Sequence, residues 1–156
     1  MEKINTLLGL FQKQMLTIIS LFDGIKNIDL SVYENQYVFA LKSQQLYTAL
    51  EDLFKNVVRT FENNIDDYSK YHIEILKVVS IDVPGIRPKL LSDDSYKLLD
   101  KLRSFRHFIR HGYNYELDAD ELNLLQKKLH QSFGGVIEDI DSFKLFLSNL
   151  LASDEH

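Results

Sequence analysis

Apolar residues recur at spacings of three and four along nearly the whole chain, and no stretch alternates apolar with polar residues between hairpin-type turns. That spacing puts the apolar side chains of each segment on one side of an α-helix, so the pattern predicts an all-α protein. In the first segment Ile4, Leu7, Leu8, Phe11, Met15, Ile18, Ile19 and Phe22 form a stripe that Asp23-Gly24 is placed to end. A second helix is expected from Ser31, which stands three residues before Glu34 as in a capping box. Its stripe runs through Val38, Leu41, Leu46, Leu50, Phe54, Val57 and Phe61. Tyr68, His72, Ile75, Leu76 and Val79 make a shorter third helix after the Asn63-Asn64-Ile65-Asp66-Asp67 punctuation.

Both prolines of the chain, Pro84 and Pro88, fall with Gly85 in residues 81–93, which marks an internal loop. The fourth helix is expected to start near Ser92 or Asp93 and to end at about His111, with Gly112 beyond it. The fifth opens at Asp118 and carries Leu122, Leu125, Leu129, Phe133, Val136, Ile140, Phe143, Leu147 and Leu150. Gly134-Gly135 is a weak point in its middle. Five amphipathic helices with short connections imply an antiparallel bundle, and 1–156 reads as one helical domain.

Composition narrows the chemistry. With 45% hydrophobic residues the chain can fill a core, and a net charge of −5 argues against coating nucleic acid or anionic membrane with its whole surface. Cysteine is absent, which removes thiolate metal sites and cysteine nucleophiles. The N-terminus has Gln12, Lys13 and Gln14 within its apolar pattern and does not read as a signal peptide, and no run is long enough for a membrane span. A cytoplasmic location with no membrane partner is the expectation. No metal or other cofactor is expected either, since no ligand set or nucleotide loop stands at recognisable spacing. His72 reads as a core-edge residue, and His130 and His156 lack partners at helical spacing.

Against this acidic background residues 101–115 hold Lys101, Arg103, Arg106 and Arg110 and no acid. At about 100° per residue, Leu98, Leu102, Phe105 and Ile109 form the core stripe of the fourth helix. Arg103, Arg106, His107, Arg110 and His111 are assigned to the opposite, displayed side. Cations so arranged repel by a few tenths of a kcal/mol per pair, and an anion is their natural complement. The bland reading is a solvated face, or one paired by acids of another helix.

Arg106, His111 and Tyr113 spell R-x4-H-x-Y at the end of this helix. Together with the Pro-rich loop and the Tyr96-x-x-Leu99-Asp100-x-Leu102-Arg103 lead-in, this resembles the HEPN superfamily, and most closely the HepT-like toxins. Residues 85–118 carry the resemblance, and the first 80 match only as amphipathic helices. The resemblance implies a metal-independent endoribonuclease toxin whose homodimer brings two motifs into one cleft, with RNA rather than DNA as substrate. It further implies a partner nucleotidyltransferase antitoxin that attaches AMP to Tyr113.

On the residues themselves, Arg106 suits a phosphate grip and His111 proton transfer. Arg103, His107 and Arg110 are candidates for flanking RNA contacts. The alternative stays open: a non-catalytic RNA- or nucleotide-binding bundle, or an antitoxin-like interaction subunit.

Overall fold

A computed structural model of the chain describes residues 1–62, 72–112 and 116–155. Five helices follow one another: α1 (Glu2–Ile25), α2 (Tyr33–Phe61), α3 (His72–Val79), α4 (Asp93–His111) and α5 (Ala119–Asp154). The described residues contain no strand, only an isolated bridge between Val83 and Arg87.

Four long helices make an up-and-down bundle. Gln14 of α1 donates to the Ala49 carbonyl of α2, while Gly24 approaches Lys42, so α1 and α2 run antiparallel. Phe11 against Phe143 and Phe22 against Phe133 set α5 antiparallel to α1. Ser92 bonds Asp139, and a groove joins Phe105 to Leu124 and Leu125, which sets α4 antiparallel to α5. One continuous core fills the space between them, with Phe11, Phe39, Phe54 and Phe133 fully enclosed. Burial of each such ring contributes about 1.5–3 kcal/mol.

Helix ends explain several boundaries. Ser92 caps α4, its hydroxyl accepting from the Ser95 amide while its own proton goes to Asp139 at 2.8 Å. Asp118 caps α5 through the Asp120 amide. The predicted start of α2 is corrected. Ser31 does not cap it; the Ser31 hydroxyl bonds Asp29, α2 begins at Tyr33 with Val32 before it, and no side chain caps that end. The Ser31 amide and hydroxyl both donate to the Asp29 carboxylate two residues back, and this local turn holds Ser31 in the loop ahead of the helix.

The stripes of α1 and α2 also need amendment. Val38 and Leu41 lie outside the core, Leu41 at 57% exposure, and Phe39, Ala40 and Ser43 take the inner positions. Ile19 is likewise exposed, and α1 passes Asp23-Gly24 to end at Ile25. Gln126 of α5 receives that end by donating to the carbonyls of Ile25 and Ile28. Helix α5 runs unbroken through Gly134-Gly135.

The 80–92 connection is ordered by a buried arginine. Arg87 pairs with Glu62 at 2.7 Å and donates to the carbonyls of Val78, Ile81 and Pro88. It thereby links the end of α2 to the end of α3, whose last carbonyls lack helical partners. Gly85 turns the loop with φ of 75°, a conformation that favours glycine. No helix among the described residues is long and apolar enough to cross a membrane.

Candidate active site

Helix α4 brings together the cationic residues, but not on one displayed face. Its buried side runs Ser95, Leu98, Leu99, Leu102, Arg106 and Ile109, so the core stripe includes Arg106 and leaves Phe105 at its margin. The assignment of Arg106 to the exposed side is therefore corrected. Taking Arg106 as zero, Arg110 and Arg103 lie about 40° and 60° round the helix, His107 about 100° and His111 about 140°. The five groups do occupy one arc, which climbs from the core edge into solvent.

Arg106 is held by α2. Its guanidinium donates to Glu51 Oε2 at 3.1 Å and to the Thr48 hydroxyl at 3.2 Å, and lies 4.5 Å from the centre of the Tyr47 ring. The Arg106 and Glu51 side chains are 8% and 4% exposed. Glu51 Oε1 accepts from Lys55 at 3.0 Å, which completes a Lys55–Glu51–Arg106 chain of charges. A guanidinium this deep and a carboxylate so placed must be paired to be tolerated. Burial above all, with the Glu51 charge adding, pushes the Tyr47 phenol above its ordinary range, while Arg106 opposes them. The Tyr47 hydroxyl has no hydrogen-bond partner among the described residues.

The outer part of the arc is different. His107 and His111 are exposed, one turn apart, with ring centres 4.4 Å from each other. Arg110 is exposed on the Arg106 side of them and has no carboxylate partner among the described residues. Arg103 is paired: its Nε donates to Asp100 at 3.0 Å and a terminal nitrogen to the Ser104 hydroxyl. Arg103 is thus relieved by an acid of its own helix, since Asp100 stands one turn earlier, just before the acid-free stretch. Tyr113 lies outside the described residues.

The α2 partners were not anticipated from sequence, yet a signal was there. Glu51 stands between Leu50 and Phe54 at an apolar position of the second stripe, and a carboxylate at such a place demands a cation from another helix. Among the described residues no group of three or more metal-ligating side chains is assembled.

A helical bundle with an Arg-x4-His pair closing its fourth helix has the architecture of the HEPN class. A family model described as "HepT-like protein" matches residues 38–147, and the chain belongs to this HepT-like family of the HEPN superfamily. The matched stretch begins in α2, so it takes in Glu51 and Thr48 as well as the α4 motif. No curated protein and no solved structure matches the chain. Family membership supplies a toxin-type, ribonuclease-related setting.

Proposed function

We propose that residues 1–156 act as one HEPN-like domain, a cytoplasmic endoribonuclease toxin that cleaves RNA without metal at a site shared by two protomers. The observation that carries this reading is the His107–His111 pair near Arg110, which has no carboxylate partner among the described residues, on the arc that starts at Arg106. The 2′-hydroxyl of RNA attacks the adjacent phosphorus and the bond to the 5′-oxygen breaks. One imidazole removes the 2′-proton and another delivers a proton to the leaving oxygen. A single His111 cannot be base and acid in the same step, which is why a second copy is invoked.

Arg106 takes a modified role in this reading. Its contacts to Glu51 and Thr48 use only part of its N–H donors, and the remainder, with Arg110, stabilise charge on the phosphate. Arg103 and His107 make flanking contacts. Attachment of AMP to Tyr113 by a nucleotidyltransferase antitoxin would place phosphate charge two residues from His111 and compete with RNA.

One observation favours a second reading, a non-catalytic binding subunit: Arg106 is engaged as a structural arginine is. RNA cleavage in EDTA separates the two. The enzyme reading expects cleavage by the purified protein, loss in His111→Ala with fold and assembly intact, and partial retention in Arg106→Lys. Cleavage unchanged in His111→Ala refutes it. Intact mass after incubation with ATP and the antitoxin tests the modification, with AMP absent from Tyr113→Phe.

A further inference from the structure

A second cationic feature lies round α4 from the arc that begins at Arg106. Lys97 and Lys101, one turn apart on α4, meet Lys128 of α5 in a groove of about 580 Å³ that Leu98 and Ser132 also line. Asp94 stands at the groove, but none of the three lysines has a carboxylate partner among the described residues. Lys101 is near enough to hold the Lys128 pKa below the ordinary lysine value, first because the neutral Lys128 amine can accept from the Lys101 ammonium, with desolvation and repulsion adding. Two lysines on α4 repel at this spacing, and a third brought in from another helix adds to that repulsion.

Lys101 and Lys128 also border a neighbouring trough of about 410 Å³, lined by Phe105, Phe108, Leu124 and Leu125. A cationic groove thus opens into an apolar one, with the same two ammonium groups between them. That is the pair of surfaces a nucleotide chain needs: charge for the backbone and an apolar wall for a base. Lys101 is roughly 15 Å along the helix axis from His111, a span of a few nucleotides.

We propose that the α4–α5 seam is an accessory track for single-stranded RNA, with backbone phosphates on Lys97, Lys101 and Lys128 and a base in the adjoining trough. The track rests on the RNA-cleaving reading of the α4 motif and names where the substrate runs beyond it. Its phosphate contacts are independent of the proton-transfer groups, so binding can be measured without turnover.

The test uses a short 2′-O-methyl RNA, which lacks the nucleophilic hydroxyl, titrated by fluorescence anisotropy over a range of salt. The Lys101→Gln/Lys128→Gln variant is expected to bind more weakly, with the slope of log K against log salt shallower by about 1.4, at roughly 0.7 per lost phosphate contact. Lys144→Gln, on α5 but outside both grooves, should keep the wild-type slope. Unchanged affinity and slope in the lysine variant, with wild type binding RNA, overturn the track and leave the cleavage reading standing. Failure of wild type to bind any RNA overturns both. A glutamate-rich peptide that binds through these lysines while RNA binding ignores them marks a protein-docking surface and also overturns the proposal.

Discussion

Removing one end of the Glu51–Arg106 pair should have unequal consequences, because the two groups keep different company. At 3.1 Å and an effective dielectric near 20, the pair attracts by about 5 kcal/mol before desolvation is counted. Breaking a buried pair from one side costs about 3–5 kcal/mol, most of it from the charge left behind. Glu51→Leu leaves the Arg106 guanidinium with the Thr48 hydroxyl and the Tyr47 ring, neither of them anionic. It should fall at the upper end, about 4–5 kcal/mol. Arg106→Met leaves Glu51 still bonded to Lys55, whose side chain is 19% exposed. Its cost should be smaller, about 2–3 kcal/mol, including about 1 kcal/mol for the lost contact with the Tyr47 ring.

The double variant Glu51→Leu/Arg106→Met removes both charges from the α2–α4 contact and should lie within about 1–2 kcal/mol of wild type. Urea denaturation at fixed protein concentration measures all four corners of the cycle, and thermal melting follows at about 2–4 °C per kcal/mol for a chain of this size. Additive losses in the double variant, or losses under about 1 kcal/mol in both single variants, would refute a guanidinium embedded between the helices. The equilibrium result also calibrates RNA cleavage. An Arg106 variant that loses activity while retaining its stability supports a direct role at the phosphate.

Two further predictions follow from buried polar groups. Tyr47→Phe removes a hydroxyl without a partner and should be neutral or stabilising by up to about 1 kcal/mol near neutral pH. Because the Tyr47 pKa is raised in the folded protein, the unfolded chain loses its proton first, near pH 10, and stability falls as pH rises beyond that by up to about 1.4 kcal/mol per unit. Tyr47→Phe should abolish this component, and an identical difference between the two proteins at about pH 8 and about pH 11 would contradict it. Arg87→Ala leaves Glu62 and three carbonyls without their donor and should cost about 3–5 kcal/mol in urea denaturation, whereas a loss below about 1 kcal/mol would show that the 80–92 loop stands without it.

What the sequence by itself determined is local. Three-and-four spacing carries each helix because the α-helical repeat is a property of neighbouring residues. Ser92, Asp118 and Gly112 mark ends because the groups they flank lie within a few positions. The five-helix reading, the limits of α4 and most of the α5 stripe were legible for that reason, and so was the R-x4-H-x-Y signature that pointed to the family.

Tertiary structure decided which polar residue the core accepts. Arg106 was sorted with the outward cations, although at about 100° per residue it lies only about 40° from Leu102 and about 60° from Ile109; its partner Glu51 lies 55 residues away on another helix. Periodicity can set Arg106 beside the core stripe but cannot supply its partner, and only the packing of α2 on α4 brings the carboxylate that makes an arginine tolerable there. The same holds for Arg87 and Glu62, 25 residues apart, and for Lys101 with Lys128, whose juxtaposition exists only where α4 meets α5. Val38 and Leu41 fit a helical stripe by spacing, yet Phe39 and Ala40 hold the inner positions, because the direction from which the other helices cover α2 is settled by the bundle as a whole.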